Sequence, residues 1–339
     1  MKSALVTGGA GFIGSAIVRG LLADGAVERV VVVDSLIAGK EENLVEVDDV
    51  IEFHQVDIRD YEALERLSDG IDVVFHEAAI ASVPRSIKEP VLCHEINVAG
   101  TFNVLRAAHE KKGGRGVFAS SAAAYGNAPE LPKREGMLPD PQSPYAVHKL
   151  LGELDLRTFH DNFDVETVAL RYFNVFGPRQ DPASPYSGVL SIFCNAALDR
   201  RQPTIFGDGE QSRDFVYVDN VVDLNLSAAR AKDVSGKLYN CGLGVETTLN
   251  QTWDLLQRIE GVDLPASYGP EREGDVKRSV ADISAAQRDL GFSPQVSYEE
   301  GLRRTLDWYR EAPPVGLCPQ VEKGASSHAS VVRFRSPPA

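Results

Sequence analysis

Short, largely apolar runs recur through the first half of the chain, at Ala4–Thr7, Val30–Asp34, Ile51–Val56, Val73–His76, Gly116–Ser120 and Glu166–Leu170. Continuous apolar runs of this length read as strands covered on both faces. Between them the apolar period lengthens to that of a helix. Phe12, Ala16, Ile17, Leu21 and Leu22 mark one face of Phe12–Ala23, and further helices are predicted at Tyr61–Leu67, His94–Lys112 and Tyr145–Asn162. Strand–helix alternation of this kind predicts an α/β fold, a doubly wound parallel sheet with helices on both faces. Ligands of such sheets bind beyond the carboxyl ends of the strands, where Asp34, Asp57, Ala78, Ser121 and Asn174 all fall.

After Asn174 the pattern loosens. Gly, Pro and polar residues dominate Gly177–Gly188, and helices are predicted at Val189–Arg200, Leu249–Ile259, Ser284–Leu290 and Tyr298–Arg310, with a strand at Pro203–Phe206 and the run Arg213–Val218. This reads as a smaller mixed α/β region over the cleft. Residues 1–174 are expected to form the sheet domain and residues 175–311 the second region. The two interleave, because 214–241 is expected to return to the first sheet around Phe215–Val218 and Tyr239–Cys241. Residues 312–339, rich in Pro, Ser and Gly, are expected to be a mobile tail.

The formal net charge of −14 argues against a nucleic-acid partner. Cys93, Cys194, Cys241 and Cys318 are widely spaced and include no C-x-x-C pair, which fits reduced thiols in a cytoplasmic protein rather than a disulfide frame or zinc site. No metal site is expected. No apolar run is long enough for a membrane span, and the chain enters its first strand at once, so neither a membrane anchor nor a signal peptide is expected.

Two motifs carry chemistry. The first is Gly8-Gly9-Ala10-Gly11-Phe12-Ile13-Gly14, which follows a strand, opens a helix and precedes a strand ending in Asp34. Gly8 permits the tight turn, Gly11 lets backbone approach a pyrophosphate, and Gly14 lets the helix pack close to the sheet. Phosphates sit at the helix N-terminus, where free N–H groups and the dipole favour anions. Asp34 lies where an acid accepts ribose hydroxyls, and its charge favours NAD over a 2′-phosphorylated cofactor; Lys40, the nearby cation, sits past the usual place.

The second motif is Ser121 with Tyr145 and Lys149. Residues four apart share a helix face. A phenol has a reference pKa of about 10, and an ammonium one turn away favours the phenolate. With a hydroxyl from Ser121 on the same substrate oxygen, the three groups suit removal of a proton from an alcohol. Ser120 is the alternative donor. His76, at the end of a strand, reads as structural, and His148 points away from the Tyr145/Lys149 face.

These motifs together resemble the extended short-chain dehydrogenase/reductases with their Rossmann-type fold, over about residues 1–310, and within them the UDP-hexose 4-epimerases. The resemblance implies cofactor contacts from Gly8, Gly11, Phe12, Ile13, Gly14, Asp34, Asp57, Ile58, Ala78, Ala79, Asn97, Ser120, Tyr145, Lys149 and Tyr172. It implies sugar-nucleotide contacts from Ser82, Ser121, Tyr145, Asn174, Thr204, Phe206, Arg213, Arg272, Asp275 and Ser279, with Tyr125 assisting. Arg213 and Arg272 resemble the arginines that hold the diphosphate, and Asp275 the acid on the uridine ribose. The implied reaction oxidises the sugar transiently at C4 and returns hydrogen to the opposite face. The helices near 94–112 and 145–162 resemble those through which the family dimerises, so a homodimer is expected.

Related dehydratases carry an Asp-Glu pair after the catalytic Ser or Thr, and related decarboxylases a similar Glu; here Ala122 and Ala123 stand there and move no proton. Pro178-Arg179-Gln180-Asp181 resembles a run in uronate epimerases, but Asp181 stands where they carry an arginine for the carboxylate; Arg179 keeps UDP-glucuronate as an alternative. Ser82–Ser86 and Phe176–Pro182 resemble the epimerases of N-acetylated UDP-hexosamines. Ser279, four residues past Asp275, occupies the family's size gate and leaves room for an N-acetyl group. UDP-N-acetylglucosamine is therefore the expected substrate, with UDP-glucose also admitted. A dehydrogenase that releases NADH and a non-catalytic nucleotide sensor are the rival classes.

Overall fold

The structure, a computed structural model, describes residues 1–111, 114–181, 188–271 and 276–311. Its strands are β1 (Ser3–Thr7), β2 (Arg29–Asp34), β3 (Glu52–Gln55), β4 (Val73–His76), β5 (Arg115–Ser121), β6 (Thr167–Tyr172) and β7 (Asn174–Phe176) in the first half. They continue as β8 (Thr204–Phe206), β9 (Ser212–Arg213), β10 (Phe215–Tyr217), β11 (Lys237–Cys241), β12 (Thr247–Thr248) and β13 (Ser267–Gly269). The helices are α1 (Phe12–Ala23), α2 (Tyr61–Leu67), α3 (Val83–Lys88), α4 (Pro90–His94), α5 (Thr101–Glu110) and α6 (Pro144–Phe163), followed by α7 (Val189–Leu198), α8 (Val218–Arg230), α9 (Leu249–Glu260), α10 (Ser284–Leu290) and α11 (Tyr298–Glu311).

The apolar runs pair as one seven-stranded sheet in the order β11-β6-β5-β4-β1-β2-β3, every pair parallel. Both faces are covered, which is why β1, β2 and β4 show no alternation. Val30 and Val32 face a core shared with Ile17 and Leu21 of α1 and Val221 and Leu224 of α8, while Val31 and Val33 face Leu64 and Val104 on the other side. Each fully buried Val or Leu there contributes about 1.5–3 kcal/mol. Gly20 lets α1 meet α8 closely, since a Cβ there would lie 2.4 Å from Val222 Cγ1. The strand order reverses between β1 and β4, and the cleft lies outside the strand ends at that point.

The expectation for 214–241 is half corrected. Lys237–Cys241 pairs with Thr167–Tyr172 and closes the sheet, but Phe215–Tyr217 pairs instead with Asn174–Phe176 in a separate two-stranded ribbon. The ribbon packs on a second core, where Phe176, Phe193, Phe215, Trp253, Leu256, Leu302 and Leu306 meet. Helix α8, which the sequence reading passed over, follows directly. Its buried face includes Asn220 and Asn225, which break the apolar period yet are hydrogen-bonded, Asn220 to Gln295 and Val296 and Asn225 to Tyr172.

The helix expected over 94–112 begins earlier and widens over Glu95–Gly100 into a π-type segment before α5. Buried Asn97 lies in that segment, and its amide bonds both backbone groups of Ile80. Gly100 sits against Ile58, where a Cβ would come within 2.6 Å of Cδ1. The widened turn thus places a side chain and a bare backbone against two loops at once. No helix of the described residues is long and apolar enough to cross a membrane.

Candidate active site

Two joined grooves run along the strand ends. The first, about 350 Å³, is lined by Gly8, Gly11, Phe12, Ile13, Gly14, Asp34, Asp57, Ile58, Ala78 and Ala79, all expected to touch a dinucleotide. Its shape follows from the glycine turn. Gly8 has φ +70°, and a Cβ there would lie 2.6 Å from the Ala78 nitrogen; a Cβ on Gly14 would lie 2.2 Å from the Gly8 carbonyl. Helix α1 starts behind Gly11 with no side-chain cap, so its first N–H groups suit an anion. Asp34 accepts N–H groups from Ala10 at 3.0 Å and Leu36 at 2.8 Å, which fix its carboxylate at the far end. Lys40 is paired with Asp181 at 2.7 Å rather than offered to a 2′-phosphate. The residues present therefore fit NAD.

Two expected cofactor or substrate contacts in this part are committed elsewhere. Asn97 spends its amide on Ile80, as above, and so fixes the loop rather than facing the groove. Ser82 lines the dinucleotide groove instead of the sugar cavity, and its hydroxyl caps α3 by accepting the Arg85 N–H at 3.1 Å.

The second groove, about 400 Å³, holds Ser121, Tyr145, Lys149, Tyr172 and Asn174, with Phe12, Ile13, Glu77 and Ala79 shared with the first. Ser121 ends β5. Tyr145 and Lys149 project from the first turns of α6, whose start is set by Ser143, accepting the Ala146 N–H at 3.2 Å, and by Pro144. The Tyr145 N–H donates to Ser86 Oγ at 3.1 Å, tying α6 to α3. Lys149 is buried and donates to the Ala119 carbonyl at 2.6 Å.

The electrostatics correct one expectation. Burial pushes the Tyr145 phenol up, a hydrogen bond to Ser121 opposes this, and the Glu77 carboxylate adds to it. Lys149 itself is pulled down by burial, with Glu77 and Glu153 acting against that. Burial and Glu77 thus oppose the phenolate that the spacing of Tyr145 and Lys149 favours, and that spacing does not by itself make the base. Glu77 is the site residue that sequence reasoning left without a role. It accepts from the Tyr172 hydroxyl at 2.8 Å, and its signal in the sequence is only a carboxylate at the end of an apolar strand.

Behind the chamber lies a buried polar layer. Glu153 takes Arg171 in a two-pronged ion pair, at 2.8 Å to Nε and 2.6 Å to Nη2, with both side chains nearly inaccessible. Ser120 lines the chamber beside Ser121 and donates to the same carboxylate, linking the chamber to this layer. The Arg171 guanidinium lies 4.4 Å from the Tyr125 ring centre, and the Tyr125 hydroxyl donates to Asn240 at 2.7 Å, which commits that hydroxyl away from substrate. Replacing Glu153 by alanine strands a buried guanidinium and is expected to cost about 3–5 kcal/mol, read by denaturant unfolding. His76 is structural as expected, bonded to Thr7 at 2.7 Å and Thr101 at 2.9 Å and pushed down to about 3 by burial.

A third cavity, about 300 Å³, continues from Ser121, Tyr172 and Asn174 past Ala122 and Ala123 to Arg213 and Ser279. Ser279 and Arg213 thus reach the same space as Ser121 from distant parts of the chain. Phe206 lines a smaller hollow of about 210 Å³ with Gln211, Lys277 and Arg278. Thr204 is exposed and bonded to Ser267 at 3.0 Å, outside these cavities. Arg272, Asp275 and Cys318 lie outside the described residues.

The family model for the NAD dependent epimerase/dehydratase family matches residues 4–242. A UDP-glucose 4-epimerase of Mycolicibacterium smegmatis is 39% identical over 310 residues, 90% of this chain and 98% of the relative. Among solved structures, the UDP-N-acetylglucosamine 4-epimerase of Methanobrevibacter ruminantium in complex with UDP-N-acetylmuramic acid matches with TM-score 0.87 at 39% identity, over 91% of this chain and 98% of that one. The Thermus thermophilus UDP-glucose 4-epimerase complex with NAD matches with TM-score 0.83 at 38% identity, over 92% of this chain and 100% of that one. With the glycine turn, Asp34 and the Ser121, Tyr145 and Lys149 chamber at the ends of one sheet, the chain belongs to the NAD dependent epimerase/dehydratase family.

Proposed function

We propose that the protein is an NAD-dependent 4-epimerase of UDP-sugars that accepts UDP-N-acetylglucosamine and also UDP-glucose. The observation that carries this reading is one chamber holding Ser121, Tyr145 and Lys149, open on one side to the dinucleotide groove and on the other to a cavity ending at Ser279. Bound NAD supplies the acceptor and donor for the hydrogen on C4. Tyr145 takes the proton of the 4-hydroxyl, Ser121 donates a hydrogen bond to the same oxygen, and Lys149 holds the charge of the phenolate. Ala122 and Ala123 offer no second acid or base, so a 4-keto sugar formed here neither loses water nor loses carbon dioxide. Arg213 and Arg272 hold the diphosphate while the sugar turns and presents its other face.

UDP-glucuronate is the second reading, and the side chains near Arg179 do not favour it. Arg179 pairs with Glu46 at 2.7 Å and Asp181 with Lys40 at 2.7 Å, so both are engaged by other side chains in this structure. The test incubates purified protein, without added NAD, with UDP-N-acetylglucosamine and separately with UDP-glucose, and follows inversion at C4 by NMR. Inversion of the N-acetyl sugar with no net NADH supports the reading. Net NADH release would make the protein a dehydrogenase, and reaction of UDP-glucose alone would remove the N-acetyl specificity.

The same reading includes a homodimer through the α5 and α6 face. Val91, Phe102, Val147, Leu154 and Phe163 are exposed large apolar side chains on α4, α5 and α6. Phe102 packs edge-on against Phe159, joining α5 to α6. Light scattering is expected to give a dimer mass, and Phe102→Asp with Leu154→Asp to give the monomer.

A further inference from the structure

One half-buried acid in the chamber has no part in the chemistry above. Glu77 follows β4, borders both the dinucleotide groove and the reactive chamber, and accepts from Tyr172, whose oxygen also bonds Asn225 at 2.7 Å. Tyr145 and Lys149 face it from α6, Tyr172 from β6, Asn225 from α8 and Cys241 from β11, while His76 beside it stays neutral. Lys149 is the cation of this set, and Glu153 acts on it from the other side.

A carboxylate here works against the base. Like charges in a water-poor space disfavour each other, so Glu77 opposes a Tyr145 phenolate and at the same time favours the proton on Lys149. The arrangement is useful if a further positive charge arrives before turnover. The oxidised nicotinamide ring carries such a charge and the reduced ring does not. A dinucleotide reaching from Asp34 to the Tyr145 chamber passes through the stretch that Glu77, Phe12, Ile13 and Ala79 share.

We propose that Glu77, held by Tyr172 at the junction of the two grooves, is a positioning residue whose negative charge selects the oxidised, cationic form of the cofactor. The inference rests on the NAD reading above. With the ring charge present, Glu77 is neutralised and Lys149 is left to stabilise the phenolate. The enzyme would then rest with oxidised cofactor and be armed only in that state. Tyr172 holds the carboxylate through its hydroxyl, so the selection depends on charge and not on the shape of the side chain.

Glu77→Gln removes the charge and keeps an oxygen to accept from Tyr172. Wild-type and variant protein are equilibrated, without sugar nucleotide, with NAD⁺ and NADH at set ratios, and the fraction bound as NADH is read by its fluorescence. The preference for NAD⁺ over NADH is expected to fall by about tenfold in Glu77→Gln, and Glu77→Asp is expected to restore it in part. Burial raises the Glu77 carboxyl. The wild-type preference should therefore weaken as pH falls through the neutral range and protonates it, whereas Glu77→Gln should be flat. A change of about twofold or less in a folded Glu77→Gln overturns the inference. If that variant does not fold, a wild-type preference that is constant with pH overturns it. Wild-type protein that neither carries resident cofactor nor binds either form would instead overturn the cofactor reading itself.

Discussion

Tyr145→Phe is expected to lower turnover by about 10²–10⁴-fold while leaving the affinities for NAD and the UDP-sugar nearly unchanged. The substitution removes one oxygen from a ring enclosed by the chamber, and it leaves the Tyr145 N–H bond to Ser86 that seats α6 in place. Turnover is measured by C4 inversion and affinity by calorimetry. A folded variant retaining more than about a tenth of the wild-type rate would remove Tyr145 from the role of base. The pH profile adds a second check. Burial raises the phenol in the protein alone, and the phenolate is the active form, so the wild-type rate should rise with pH and fall on the acid side. Tyr145→Phe should lose that limb along with its rate.

The parts of the site that could be read from the sequence are those set by local spacing. The glycine turn declares itself because one strand, one turn and one helix N-terminus are adjacent in the chain. Tyr145 and Lys149 declare themselves because one helical turn separates them. Glu77 does not, since its meaning comes from Tyr172, Lys149 and Tyr145 arriving from other elements. For the same reason the expected lowering of the Tyr145 phenol meets opposition the sequence does not show: spacing shows the nearby ammonium but hides the burial and the opposing carboxylate. Asn97 shows the converse, a polar residue at a ligand-like position whose amide is consumed by Ile80. The sheet was legible because both-face burial leaves unbroken apolar runs. The short ribbon of Phe215–Tyr217 with Asn174–Phe176 was not, because an apolar run of three residues does not say which sheet it joins.

Ser279→Tyr is expected to cut kcat/KM for UDP-N-acetylglucosamine by at least about 100-fold and to change that for UDP-glucose by only about threefold. Ser279 lines the same cavity as Ser121, Tyr125, Asn127, Asn174 and Arg213, so bulk added there enters the cavity that the proposed function gives to the sugar. Other parts of the cavity lining do not yield readily. Tyr125 is buried against Arg171 and bonded to Asn240, and Gly126 has φ +54° with a Cβ position 1.7 Å from the Asp140 carbonyl. An added phenol ring therefore competes with the N-acetyl group for volume. The loss should appear mainly as weaker binding of the N-acetyl sugar, because the Ser121, Tyr145 and Lys149 chamber is untouched. Competition between the two sugars in one reaction, followed by NMR, measures the ratio directly. Equal losses on both sugars would mean that the tyrosine disturbs the nucleotide grip near Arg213, and undiminished use of the N-acetyl sugar would mean that Ser279 sets no size limit.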